Sequence, residues 1–184
     1  MHGHLVLSRR FMVLLLAISV SPAWPDPSHW LDVPYVRQVE AGCGAASIAM
    51  VMQYWIRREP RIDPAAADGD RIYRLLASSP GQGISGQALK RYLEEHGFAT
   101  FVFDGELRDL REHLEKGRPV VVCLAPKGPR APLHYAVVVG SSEAAIMLHD
   151  PSRGKLFRED LNTFLRAWRA TGNWTLLATP RQAL

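Results

Sequence analysis

The chain has 184 residues, 47% of them hydrophobic and 22% charged, the balance of an ordinary globular domain. Its net charge is +4, and without Arg9 and Arg10 it holds 20 basic against 18 acidic residues in no stripe, which argues against a nucleic-acid surface. It contains no GxxxxGK[ST] loop, which argues against a P-loop nucleotide site.

In chain order, Arg9 and Arg10 precede the apolar run Phe11 to Val20, and Ser21-Pro22-Ala23 follows it. This pattern predicts a secretory signal over residues 1–23, with Trp24 as the mature start. The apolar run is short for a bilayer span, so membrane contact is expected only through this segment if it stays uncleaved. Residues 24–32, rich in Pro, Trp and Asp, read as an irregular lead-in, and one domain is expected over 33–180. Pro34 biases the stretch LDVPYVRQ (31–38) towards extended backbone. It carries Gln38, five residues before Cys43, within reach of an oxyanion formed beside that thiol.

Gly42-Cys43-Gly44 then opens an apolar run through Trp55, broken only by Gln53, which predicts a buried central helix over about 43–58. A cysteine at a helix N-terminus meets free N–H groups and partial positive charge, and both favour the nucleophilic thiolate. Cys43 is therefore a candidate nucleophile. The competing readings are a buried core cysteine and, in an exported chain, a disulfide with Cys123.

Residues 59–70 read as a linker, and helices are predicted over 70–77 and 86–96, the second capped by Ser85 with Leu89, Tyr92 and Leu93 inward. Gly81-x-Gly83-x-x-Gly86 follows a helix, not a strand, so it is no dinucleotide fingerprint. A strand over 98–103 and a helix from 104 or 105 to 116 follow. PVVVCL (119–124), holding Cys123, reads as a central strand, and Cys123 as a free core thiol. HYAVVVG (134–140) and AAIMLHD (144–150) read as a hairpin. A helix near 159–168 with Leu161, Phe164, Leu165 and Trp168 inward, and a strand over 174–178, complete the domain. Helices early and strands late predict an α+β fold with mostly antiparallel pairing.

Centring the hairpin turn on Ser142 sets His134 directly opposite Asp150 and Val138 opposite Ile146. A carboxylate there could orient an imidazole and stabilise its protonated form. A slip of one residue would pair His134 with His149 instead. Alternatively Asp150 only shapes the Asp-Pro turn. His29, His96 and His113 are expected to be solvated, and His149 to face away from Asp150. No HExxH or paired CxxC supports a metal site.

These pieces resemble the C39 family of cysteine peptidases within the papain-like group. The likeness rests on Gln38 before the Cys, Cys-Gly-Ala-Ala with its apolar helix (43–55), and Gly-Ile-Ser before an amphipathic helix (83–96). It rests further on His-Tyr-x-Val-Val-x-Gly (134–140) and Asp-Pro-x-x-Gly (150–154). Together they cover about residues 33–178. The resemblance implies a papain-like α+β fold whose buried N-terminal helix carries the Cys against a mostly antiparallel sheet, and no cofactor. It implies Cys43 as nucleophile, His134 as general base and acid, Asp150 as orienting carboxylate and Gln38 as oxyanion donor. Members at the N-terminus of peptide-exporting ABC transporters cut leader peptides after Gly-Gly. Here Gly42 stands where many of those carry Asp, and the signal pattern predicts the periplasm, cell envelope or extracellular space. The expected activity is an exported, free-standing thiol peptidase acting on a peptide or protein, alongside an export system encoded separately. Two other readings stay open: a non-catalytic peptide-binding or assembly module, and a thiol amidase or acyltransferase on cell-wall peptides.

Overall fold

A computed structural model describes residues 29–59, 62–128 and 132–181. The expected signal segment and most of the lead-in lie outside the described residues. The elements run β1 (His29–Trp30), α1 (Cys43–Ile56), a 3-10 turn (Pro64–Ala67), α2 (Gly69–Leu76), α3 (Gly86–Glu95) and β2 (Phe98–Asp104). They continue with α4 (Leu107–Glu115), β3 (Val120–Leu124), β4 (His134–Ser141), β5 (Ala145–Asp150), β6 (Gly154–Asp160), α5 (Leu161–Arg169) and β7 (Trp174–Pro180).

The strands form one sheet in the order β2-β7-β3-β4-β5-β6, with β1 added beside β4 and every pairing antiparallel. The expected α+β architecture is therefore present. Strand alternation sends Val121, Cys123, Tyr135, Val137 and Val139 to a core shared with α1, α2 and α3. Val120, Val122, Leu124, Ala136 and Val138 go to the opposite face, where Leu110, Leu114, Phe164 and Trp168 of α4 and α5 cover them. Because both faces are covered, β3 and β4 read as continuous apolar runs. Helix α1 is buried without a break from Cys43 to Met52, as its lack of a polar face requires. No helix among the described residues is long and apolar enough to cross a membrane.

Two expectations are corrected. Residues 154–160 form an edge strand where the sequence predicts no strand and a helix from about 159; its charges, Lys155, Arg158, Glu159 and Asp160, suit an exposed edge but hide the alternation. The hairpin register also differs, by two residues before a bulge and by three after it. Val138 faces Leu148 and Val137 faces His149, with a bulge between Val138 and Gly140. The turn lies further along than Ser142: the Ser142 N–H donates to the Ala145 carbonyl at 2.9 Å. On the His134 side of the bulge, a shift of two keeps the side chains on their predicted faces, whereas a shift of one would not.

Between β1 and α1 the chain forms a strap along one end of the sheet. The Leu31 N–H donates to the Val139 carbonyl (2.7 Å) and the Gln38 N–H to the Pro151 carbonyl (3.1 Å). Tyr35 Oη donates to the carbonyls of Asp150 (3.2 Å) and Pro151 (3.3 Å).

Candidate active site

Cys43 is the first residue of α1. Its N-cap is Gly42, which offers no side chain to the free N–H groups, and the first turn holds no acidic residue. Those N–H groups and their partial charge are left for an anion. A Cβ on Gly42 would stand 2.7 Å from the Val39 carbonyl oxygen, which accepts the Gly42 N–H at 2.6 Å. Only glycine fits this turn without moving the backbone that delivers the thiol. Gly44 has a different reason: its Cα is packed under Leu89 and Tyr135.

His134 starts β4 opposite Leu124, and Asp150 ends β5. With the register moved by two they are diagonal neighbours on one face, still within reach of each other. His134 Nε2 donates to Asp150 Oδ1 at 2.8 Å. Asp150 is almost fully buried, and the same oxygen also accepts from Ser152 Oγ (2.8 Å), the Ser152 N–H (2.9 Å) and the Arg153 N–H (3.1 Å). One oxygen of Asp150 thus takes both the contact to the imidazole and those of the turn.

Around the end of the sheet, the Cys43 thiol meets the His134 ring and the backbone N–H groups of Tyr135 and Gly44. Since Nε2 is on Asp150, Nδ1 is the ring nitrogen left for the sulfur. Burial, the largest single influence, pushes the Cys43 thiol up. Hydrogen bonds from His134 and the two backbone N–H groups, with the charge of His134, outweigh it, and the thiol lies below its ordinary value. Burial pulls His134 down, but hydrogen bonds to Asp150 and Cys43 and their negative charges raise it to about 9. Burial pushes Asp150 up, and its hydrogen bonds to His134 and Ser152, together with the charge of His134, bring it to about 2. The three directions all favour the charged forms: thiolate, imidazolium and carboxylate.

Gln38 lines the same cavity as Cys43. Its side-chain N–H donates to the Glu40 carbonyl, in a turn where Glu40 takes a positive φ of 27°. One of its two amide hydrogens is therefore engaged locally, and its buried Oε1 has no partner. The cavity holds about 670 Å³, and Gly81, Gly83, Leu133, Arg153 and Phe164 also line it. Cys43 and Cys123 are both free thiols, which leaves the disulfide alternative unrealised. Cys123, buried on β3, is pushed up to about 11, first by burial and then by the charge of Cys43. His96 and His113 are half-buried, not solvated. His96 stacks on Tyr92 with centroids 4.0 Å apart, and His113 packs beside Phe103.

Sequence reasoning did not find Ser152, Arg153 or Tyr35. A serine two residues after an aspartate in Asp-Pro-Ser is a recognisable Asx-turn signal and could have pointed to Ser152. Nothing in the local sequence marks Tyr35, whose hydroxyl crosses to residues 150 and 151.

The profile of the Peptidase_C39 like family matches residues 30–176. The chain belongs to this family. It is a C39-like cysteine peptidase by that membership, and the matched span contains every residue of the site just described. No curated protein matches the chain. Among solved structures, a C39-like peptidase from Bacillus anthracis is 18% identical, with a TM-score of 0.63 over 86% of this chain and 100% of that one. The peptidase domain of Streptococcus ComA, a bifunctional ABC transporter of a quorum-sensing pathway, is 21% identical, with a TM-score of 0.59 over 80% and 98%. A double glycine motif protease from an AMS/PCAT transporter, solved with its leader peptide, is 19% identical, with a TM-score of 0.59 over 84% and 96%. At these identities the likeness is one of fold.

Proposed function

We propose that this C39-like peptidase is an exported enzyme that hydrolyses peptide bonds through Cys43, His134 and Asp150. The observation that carries the reading is the chain of contacts from Asp150 Oδ1 through His134 Nε2, at 2.8 Å, to a thiol on the N-terminus of α1. Export is supported by the residue pattern over 9–23. The neighbour solved with a leader peptide supports a peptide as substrate, and leader-peptide processing is the narrower form of the proposal.

The Cys43 thiolate attacks the scissile carbonyl carbon, forming a C–S bond. The carbonyl oxygen takes the negative charge and accepts hydrogen bonds from the Cys43 N–H and the second amide hydrogen of Gln38. As the C–N bond breaks, His134 gives its proton to the leaving amine. Water then attacks the thioester while His134 removes its proton, and release of the carboxylate product restores the ion pair. Asp150 holds the imidazole tautomer throughout and balances its charge.

The test is iodoacetamide labelling of the two thiols between pH 5 and 9 with peptide mapping, beside hydrolysis of fluorescein-labelled casein. Cys43 is expected to label below the pH at which a free thiol reacts, and His134→Ala to abolish that advantage. Casein cleavage that persists in Cys43→Ala would sink the mechanism.

A further inference from the structure

His149 is fully buried on β5, next to Asp150 but on the opposite face of the sheet, where its cross-strand neighbour is Val137. Both of its ring nitrogens are engaged. Nε2 lies 2.9 Å from the Val33 carbonyl of the strap, and Nδ1 lies 3.2 Å from the Leu156 N–H of β6. A carbonyl can only accept and an N–H can only donate, so the ring is the neutral Nε2–H tautomer.

The Leu156 contact has a structural cause. Leu148 pairs with Phe157 and Asp150 with Gly154, so His149 faces two residues, Lys155 and Leu156, across a bulge. A bulge leaves an extra residue outside the ladder. Leu156 takes a positive φ of 53°, a conformation costly for a leucine, and His149 accepts its N–H. On the other side, Val33 is fully buried, and the strap it belongs to leads to Gln38 and the Gly42 turn. Tyr35 on the strap packs edge-on against the His149 ring, with centroids 5.7 Å apart. The charged groups around the ring are Asp32 on the strap and Lys155 on β6.

We propose that His149 is a positioning residue: as a neutral imidazole it clamps the strap carrying Gln38 to the hairpin carrying Asp150, and a second ring proton releases the clamp. The proposal rests on the peptidase reading above. A protonated ring would set an Nδ1–H against the Leu156 N–H, two donors with no acceptor between them. Either the bulge or the strap then has to move. Burial, with Lys155 adding to it, pulls the ring below the ordinary imidazole range, so the clamp holds at neutral pH and opens in acid. Two proton-dependent events then lie on the acid side of hydrolysis: loss of the Cys43 thiolate, and release of the strap. Alkylation of Cys43 senses only the first.

The test compares the full chain with His149→Gln and His149→Phe. A glutamine amide can donate to Val33 and accept from Leu156 without titrating; a phenylalanine can do neither. Casein hydrolysis by the wild type is expected to fall off in acid at a higher pH than iodoacetamide alkylation does. In His149→Gln the two curves should coincide. In His149→Phe, kcat should drop roughly tenfold with KM little changed and alkylation retained. Identical acid limbs for hydrolysis by wild type and His149→Gln would overturn the clamp. Should a variant fail to fold, nitrogen-15 NMR of the wild type decides. The Nε2–H tautomer is expected, with its titration coinciding with lost protection of the Leu156 amide; titration without change at Leu156 overturns the proposal. Rapid alkylation with no hydrolysis in the wild type would count against the peptidase reading alone, and the NMR would still judge the clamp.

Discussion

Asp150 gathers four donors on one buried oxygen, so its charge does two tasks that substitution can separate. Asp150→Ala removes both the acceptor and the charge, and casein hydrolysis is expected to fall by roughly 10²-fold or more. Asp150→Asn keeps an acceptor for His134 but removes the charge that raises its pKa. The main expected change is in the pH profile: the alkaline limb of hydrolysis, expected in the wild type where His134, raised to about 9, loses its proton, should move towards neutrality. An unmoved limb would mean that Asp150 does not hold the proton on His134. The same shifts govern stability, with opposite signs. His134 is raised from 6.5 to about 9, so its contribution is complete below 6.5 and is lost as pH rises through about 9. Asp150 is lowered from 3.8 to about 2, so its contribution is complete above 3.8 and is lost as pH falls through about 2. Thermal melts across pH should therefore decline on both sides of this window, and the alkaline decline should come earlier in Asp150→Asn.

At the scale of elements, α1 and the β4–β5 hairpin each supply part of the site, and their ends must be held where they meet. The Val39–Gly42 turn sets where α1 begins. Gly42→Ala would bring a methyl group to 2.7 Å from a backbone oxygen, a contact that only main-chain movement relieves. We expect a loss of about 1–3 kcal/mol in urea unfolding and slower alkylation of Cys43; wild-type values for both would show that the turn yields easily. The helices were legible because their signals are local: Ser85 caps α3 through the Ala88 N–H, and Leu89, Tyr92 and Leu93 recur at helical spacing and are buried. The alternation of the strands likewise gave the faces of His134 and Asp150. Register was not legible, because a bulge near Val139 and the position of the turn depend on backbone hydrogen bonds that no side-chain pattern encodes. Strand β6 was hidden for the related reason that an edge needs little apolar surface. The role of Gln38 in the sequence reading rested on its distance along the chain, which does not reveal that Glu40 engages one of its amide hydrogens.

For the whole molecule, one sheet with two covered faces explains why its two thiols behave differently. Cys43 sits where α1 meets the sheet's end, beside an open cavity, an imidazole and free N–H groups. Cys123 sits in β3 between β4 and β7, with Tyr135 directly across from it and α1's core above. It is 3% exposed, and its thiol is held up at about 11. Its burial under α1 leads us to expect that reaching its sulfur requires separating α1 from a central strand rather than a loop fluctuation. Opening of that kind costs free energy approaching that of global unfolding. In a Cys43→Ala background, iodoacetamide should therefore label Cys123 only through global opening. Its labelling rate should rise with urea along the slope of the unfolding equilibrium measured by circular dichroism. A rate independent of urea at low concentration would locate a smaller opening near β3 and would mean that α1 is less firmly docked than its unbroken burial requires. Agreement of the two slopes would make Cys123 a reporter of the whole fold and Cys43 a reporter of the site, read from one labelling reaction on one chain.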